Sequence, residues 1–254
     1  MRRAFALAIC LGAGTLPGCY TIGNSSVPIG TVSVPALRPS SERTLIVVLP
    51  GLGDAANDLK NRGVAQAIHE AWPEADVLLA SATLAYYRDG RLVSRLHEEI
   101  VEPARHQAYR RLWLAGASLG GLGALLYERE HPGEVAGIVL LAPFLGSASL
   151  LEQIRAAGGP RSWDPGPLPL EVDAENYQRQ VWKMVKGWAA RPEFARRIWL
   201  TSGTSDERIE DARLLAQELP KAHYLELPGG HNWTFGIRAM REIFSRIRVE
   251  SQRG

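Results

Sequence analysis

The sequence Gly-Ala-Ser-Leu-Gly at positions 116–120 constrains the fold of this 254-residue chain more than any other segment. Residues 112–117 read as a short buried strand, and residues 119–129 place apolar side chains on one helical face. A serine in such a strand-to-helix turn is held in a strained conformation, and the flanking glycines remove Cβ atoms that would collide. The pattern predicts Ser118 as a nucleophile, with the N–H of Leu119 at the helix start facing a developing oxyanion. The alternative is that Ser118 only caps the helix.

Strand-like and helix-like segments alternate along the rest of the chain, which predicts an α/β fold with a mostly parallel sheet. A strand buried on both faces of such a sheet is a continuous apolar run, as at Thr44–Leu49. We expect one domain over residues 44–254, for which 46% hydrophobic composition provides a sizeable core. The further strands are expected at residues 76–80, 112–117, 135–141, 197–202 and 222–227, with an edge strand near residues 31–34.

Three residues follow predicted strands in the order Ser118, Asp206 and His231. Loops at the carboxyl edge of a parallel sheet converge, so we expect these side chains to meet there. The glycine-rich turn at residues 50–54 follows another strand and would supply a second oxyanion donor, the N–H of Leu52.

Each of these assignments has an alternative. Asp206 could cap the following helix, and Asp211 or Asp173 could then be the acid. His231 could be a capping or surface histidine, and the N–H of Gly53 could replace that of Leu52.

Together these motifs resemble the α/β-hydrolase superfamily of serine esterases, over roughly residues 44–248. The resemblance implies two-step acyl transfer by Ser118, His231 and Asp206 through an acyl-enzyme, on a small acyl ester and without a cofactor. The chain departs from the family at Pro50, where many members have histidine, and in its short N-terminal region. A thioesterase, an acyltransferase, a peptidase or a catalytically silent envelope lipoprotein remain alternatives, since one fold serves many functions.

Residues 146–192 interrupt the alternation and form either a short inserted cap over the site or a peripheral element at the sheet edge. Aromatic residues in this insert and in the loops of the same side predict an apolar entrance suited to short or medium acyl groups. The candidates for the substrate pocket are Tyr86, Phe144, Trp182 and Trp233, with Tyr87 and Trp163 nearby.

The N-terminus has the features of a secretory signal over residues 1–18, because two arginines precede a short apolar stretch. The segment ends in Leu-Pro-Gly-Cys and resembles a bacterial lipobox, which makes Cys19 the predicted lipidation site. Residues 19–43 would then form a tether, and Tyr20 after the cysteine favours the outer membrane, facing the periplasm. An ordinary signal peptide with a chance cysteine is the alternative.

Charge and residue spacing exclude several partners. Without the two arginines of the signal segment, the 29 basic side chains become 27, which equals the 27 acidic ones, so the mature protein is about neutral. The sequence also shows no cluster of Lys and Arg, so we predict that the protein does not bind nucleic acid. Histidine and acidic residues show no metal-ligand spacing, and no phosphate-binding glycine loop is present, so we predict no metal and no organic cofactor.

Overall fold

A computed structural model describes residues 22–251, which form a seven-stranded sheet in the order β1-β3-β2-β4-β5-β6-β7. Every neighbouring pair is parallel except β1 and β3, which confirms the predicted mostly parallel α/β fold. The strands are Thr31–Val34 (β1), Thr44–Leu49 (β2), Ala75–Ala80 (β3), Arg111–Ala117 (β4), Gly137–Leu141 (β5), Ile198–Gly203 (β6) and Tyr224–Leu227 (β7).

Eleven α-helices connect the strands within the described residues. They are Ala56–Asn61 (α1), Val64–Ala71 (α2), Leu84–Arg88 (α3), Leu92–Leu96 (α4), Glu102–His106 (α5), Leu119–Glu130 (α6), Ala148–Ala156 (α7), Tyr177–Gly187 (α8), Pro192–Ala195 (α9), Ile209–Ala216 (α10) and Trp233–Ser251 (α11). A π-helical turn, His97–Val101, joins α4 to α5, and a 3-10 turn, Lys221–His223, precedes β7.

The sheet is covered by helices on both faces. On one face α4 to α8 and α10 bury one apolar cluster, and on the other face α1, α2 and α11 bury a second. The side chains of β2 therefore meet apolar neighbours on both sides, and all six are buried. Burial on both faces explains why this strand is a continuous apolar run instead of an alternating one.

Two helical segments differ from the predicted ones. From the sequence, residues 55–72 are predicted to form a single helix. The structure divides this segment into α1 and α2 at Gly63, whose φ of +78° a residue with a side chain rarely adopts. Residues 81–89 are predicted to form a loop, and they contain the short helix α3.

Residues 22–38, assigned from the sequence to a tether, pack against the domain. β1 adds an edge strand beside β3, and Ile29 is buried while its N–H donates to Glu99 at 2.7 Å. Farther along, the Ala36 N–H donates to Asp76 at 2.8 Å. The predicted signal segment and Cys19 lie outside the described residues.

The insert at residues 146–192 contains α7 and α8, and α8 packs against α6. Trp182 on α8 is fully buried, and its indole N–H donates to the Leu145 carbonyl at 2.8 Å. Part of the insert is therefore core, and its role as a cap stays a prediction. Over residues 22–251, no helix has both the length and the apolar character needed to cross a membrane.

Candidate active site

Ser118 occupies the sharp turn between β4 and α6 with φ +50° and ψ −112°, a conformation that costs energy for any residue with a side chain. The glycines on either side make this turn possible. A Cβ at Gly116 would overlap the Gly120 carbonyl, and one at Gly120 would overlap the carbonyl of Leu49 in β2. The structure therefore confirms that glycine is needed at both positions to avoid collisions with backbone carbonyls. The Ser118 N–H donates to Leu141 at 2.9 Å, which fixes the turn to β5.

His231 lies between Ser118 and Asp206, although 113 and 25 residues separate it from them. Its Nε2 is 3.0 Å from Ser118 Oγ, and its Nδ1 is 2.9 Å from Asp206 Oδ2. These residues follow β4, β6 and β7, so the convergence expected at the carboxyl edge of the sheet is observed. With its proton on Nδ1, the imidazole donates to Asp206, and Nε2 accepts from the Ser118 hydroxyl.

Asp206 is the only one of the three candidate acids that faces His231. Its second oxygen, Oδ1, accepts the Arg208 N–H at 2.9 Å, so the side chain also fixes the turn before α10. Asp211 pairs with Arg155 instead. The Asp173 side chain accepts backbone N–H groups of its own loop.

Asp206 is 4% exposed, and burial by itself would raise the pKa of its carboxyl. The hydrogen bond with His231, the bond from the Arg208 N–H and the electrostatic attraction of the same two residues act in the opposite direction and together outweigh burial. They leave the pKa of Asp206 below its usual value. The carboxylate is therefore ionised at neutral pH and can stabilise a charged imidazole.

The turn at residues 50–54 lies directly against Ser118. A Cβ built on Gly51 would be 3.6 Å from Ser118 Cβ, which is van der Waals contact distance. Within residues 22–251, no backbone carbonyl accepts from the N–H of Leu52 or of Leu119. Both predicted oxyanion donors are thus free of backbone partners. The role of the two N–H groups stays a prediction.

The four aromatic pocket candidates separate into two groups. Phe144 and Trp233 adjoin the site: the Phe144 N–H donates to the Ser118 carbonyl at 2.9 Å, and Trp233 begins α11 two residues after His231. The prediction that Trp182 lines the entrance is wrong, because this side chain is fully buried and its indole N–H donates to the Leu145 carbonyl. Tyr86 lies elsewhere, with its hydroxyl donating to the carbonyls of residues 27 and 28.

Tyr86 does line a cavity, but one that follows α6 away from the nucleophile. The cavity has a volume of about 360 Å³, and its walls include Leu122 and Leu126 of α6 together with Val172 and Tyr177 of the insert. Ser118, Asp206 and His231 are not among the lining residues. The insert therefore covers this space along the helix.

Asp54 and Arg208 contribute to the site and were not recognised from the sequence. Asp54 accepts the indole N–H of Trp233 at 2.7 Å and pairs with Arg62 at 2.8 Å, which ties the turn at residues 50–54 to the start of α11. The Arg208 guanidinium lies over the Phe144 ring, 5.3 Å from its centre. The position of Asp54 at the end of a glycine-rich turn was the available signal.

The chain is similar to known proteins both in sequence and in fold. A family model described as "Putative esterase" matches residues 53–242. No curated protein sequence matches the chain. Among solved structures, Est1E from Butyrivibrio proteoclasticus has a TM-score of 0.63 at 14% identity, covering 92% of this chain and 98% of that one.

Two further solved structures share the fold. The S-formylglutathione hydrolase FrmB from Staphylococcus aureus has a TM-score of 0.57 at 14% identity, covering 88% of this chain and 84% of its own. A monoacylglycerol lipase from Paleococcus ferrophilus has a TM-score of 0.53 at 17% identity, covering 87% and 99%. At these identities the likeness establishes the fold alone.

Proposed function

Because the chain belongs to the "Putative esterase" family, we propose that it hydrolyses carboxylic esters with Ser118 as nucleophile, His231 as base and Asp206 as orienting acid. Membership in this family confirms the expectation of a hydrolase of the carboxylesterase type. The observation that carries the triad proposal is the position of His231, 2.9 Å from Asp206 and 3.0 Å from Ser118. Both distances lie within the reach that proton transfer requires.

The first half-reaction forms the acyl-enzyme. Ser118 Oγ attacks the carbonyl carbon of the ester while its proton passes to His231 Nε2, and the carbonyl oxygen becomes an oxyanion between the N–H groups of Leu52 and Leu119. The tetrahedral intermediate collapses, the bond to the alcohol oxygen breaks, and His231 returns the proton to the departing alcohol. Asp206 stabilises the imidazolium during both transfers.

The second half-reaction replaces the alcohol with water. His231 takes a proton from the water as its oxygen attacks the acyl carbon, and the same donors hold the second oxyanion. Collapse releases the carboxylic acid and returns the proton to Ser118 Oγ. None of these steps calls for a group beyond the side chains and N–H groups named.

A fluorophosphonate probe tests the triad because it labels only an activated serine. We expect labelling of the wild type, none of Ser118→Ala, and loss of p-nitrophenyl acetate hydrolysis by about 10⁴-fold or more in that variant. Alanine suits the turn sterically, so circular dichroism should show a folded variant. A folded wild type without labelling would favour the catalytically silent alternative, and labelling that persists in Ser118→Ala would place the nucleophile elsewhere.

We propose small esters with short or medium acyl groups, or with aryl groups, as substrates. Two half-buried aromatic residues support an apolar acyl site: Phe144, whose N–H donates to the Ser118 carbonyl, and Trp233, whose indole N–H donates to Asp54 in the turn beside the serine. One structure of Est1E contains ferulic acid, an aromatic acid, on the same fold. The measurement is kcat/KM along an acyl-length series, including a matched thioester.

Phe144→Ala should move the acyl-length optimum to longer chains, while Tyr86→Phe, in the cavity along α6, should leave the optimum unchanged. The tyrosine substitution removes one hydroxyl and keeps the ring. An optimum that moves with Tyr86→Phe and not with Phe144→Ala would place the acyl group in the other cavity.

We further propose that Cys19 carries a lipid anchor and places the enzyme at the outer membrane, facing the periplasm. The lipobox-like sequence before Cys19 supports the anchor. Two or more acyl chains give stable membrane binding, whereas one chain binds only marginally. Cys19→Ser should shift the protein from the detergent-extracted to the soluble fraction, with Cys10→Ser as control. Equal release of wild type and Cys19→Ser would overturn the anchor.

A further inference from the structure

Three residues that the esterase chemistry does not use form a compact group at the far end of the nucleophile helix. His97 begins the π-helical turn, His131 follows the last residue of α6, and Glu134 lies in the loop before β5. One ligand atom from each lies within 4.8 Å of the other two. Since α6 spans 12 residues at about 1.5 Å each, this group is about 18 Å from Ser118.

We propose that His97, His131 and Glu134 bind a Zn²⁺ ion at a site separate from the catalytic one. Two imidazoles and one carboxylate are a donor set that zinc prefers, and they leave one of four tetrahedral positions for water. The nitrogen ligands distinguish this site from one for Mg²⁺ or Ca²⁺, which take oxygen ligands.

The two nitrogen–oxygen separations in the group match those of tetrahedral zinc, and the two histidine ligand atoms lie within 4.8 Å of one another. Metal–ligand bonds of about 2.0 to 2.1 Å at the tetrahedral angle place two ligand atoms about 3.3 Å apart. Nδ1 of His97 is 3.3 Å from Glu134 Oε2, and Nδ1 of His131 is 3.3 Å from Glu134 Oε1. A small rotation of the carboxylate brings one of its oxygens toward both nitrogens.

The two histidine rings already lie next to one another. The rings of His97 and His131 stack with centres 4.1 Å apart and planes at 8°. Because a metal lies in the plane of each imidazole that binds it, one ring turns out of this stack when the ion binds. A local turn supplies the carboxylate, because the Glu134 N–H donates to the His131 carbonyl at 3.3 Å and folds the loop back.

Tyr127 supplies Glu134 with the outer contact that metal ligands usually have. Its ring is buried in α6, and its hydroxyl donates to Glu134 Oε2 at 3.0 Å. The hydroxyl also lies 3.1 Å from His97 Nδ1, and this nitrogen exchanges that contact for the metal when the ion binds. Such partners orient ligands, and their loss commonly lowers metal affinity about 10- to 100-fold. The π-helical turn that presents His97 is a second feature frequent at functional sites.

The site would join the π-helical turn to the end of α6. Arg105, the nearest cation at 3.7 Å from Glu134, is half-exposed and can move into water when an ion binds. His131 also lines the cavity of about 360 Å³ between α6 and the insert.

The test adds ZnCl₂ to the full chain, which is produced without a histidine tag and freed of metal with a chelator. Cys10 and Cys19 are alkylated beforehand so that their thiols cannot bind zinc. Isothermal titration should show one Zn²⁺ bound per chain. Thermal melting should show a higher Tm with ZnCl₂ and an unchanged Tm with MgCl₂. His97→Asn and His131→Asn should bind at least 100-fold more weakly, and Tyr127→Phe about 10- to 100-fold more weakly.

Two variants serve as controls. His106→Asn changes an exposed histidine at the end of α5 and should bind zinc like the wild type. His231→Asn should also bind zinc like the wild type, which would exclude the catalytic histidine as the binding site. If either ligand variant fails to fold by circular dichroism, Glu134→Gln replaces it. A wild type that binds no stoichiometric Zn²⁺, or ligand variants that bind as tightly as the wild type, would overturn the proposal.

Discussion

Replacing Asp206 with asparagine separates the chemical role of this side chain from its structural role. Asparagine keeps an oxygen for the Arg208 N–H, which Asp206 Oδ1 accepts at 2.9 Å. Toward His231, however, it presents an NH₂ donor in place of the oxygen that now lies 2.9 Å from Nδ1. Nδ1 must then accept, which places the imidazole proton on Nε2, where it blocks proton transfer from Ser118.

The expected magnitudes differ for activity and stability. The wrong tautomer lowers kcat by about 10⁴-fold, equivalent to about 5 kcal/mol in the barrier. Exchanging the charge-assisted hydrogen bond with His231 for a neutral one costs about 1 kcal/mol of folding free energy, or about 2–4 °C in Tm for a domain of this size. Initial rates with p-nitrophenyl acetate and thermal melting measure the two effects on the same preparation.

Asp211→Asn is the matched control, since Asp211 is the nearby acid that pairs with Arg155. Losing this ion pair should lower Tm while leaving kcat/KM unchanged. Asp206 is not the orienting acid if folded Asp206→Asn hydrolyses the ester within about tenfold of the wild-type rate, or if Asp211→Asn is the variant that loses activity.

Three further predictions concern stability. Trp182→Ala should cost about 3–5 kcal/mol in urea unfolding because the side chain is fully buried, and an unchanged unfolding midpoint would contradict its core position. Glu128→Gln should cost about 3 kcal/mol because it leaves Arg197 without its buried partner, and a loss under 1 kcal/mol would mean the pair is solvated. Burial lowers the pKa of His223, so as the pH falls the unfolded chain binds a proton at this residue before the folded protein does. The free energy of unfolding should therefore decrease as the pH drops through about 6.5, and it should decrease less steeply in His223→Phe. Parallel pH profiles for the two proteins would contradict this.

The strands and the nucleophile turn could be predicted because their signals are local. A strand such as β2, buried on both faces, has to be a continuous apolar run, and the run is visible without knowing its neighbours. The turn at Ser118 requires glycine at fixed offsets for steric reasons that hold in any fold with this turn.

The aromatic entrance was only partly predictable, because aromatic character does not determine which side a side chain faces. Phe144 and Trp233 are adjacent in sequence to the sheet's carboxyl edge, and they lie beside the site. Trp182 lies inside a long insert, where the fold of the insert decides the direction of each face. Its helix turns the indole inward, onto α6 and the Leu145 carbonyl.

The triad and the histidine–glutamate group differ in a way that explains why only the triad was foreseen. Both bring together residues distant in sequence, but Ser118, Asp206 and His231 each follow a parallel strand, and parallel pairing fixes all the strand ends at one edge. His97 and His131 lie at helix ends, and two helices on one sheet face meet at positions set by side-chain packing instead of by a hydrogen-bond register. The sequence shows only the local part, His131 three residues before Glu134, and a single spacing of that kind does not indicate a metal site.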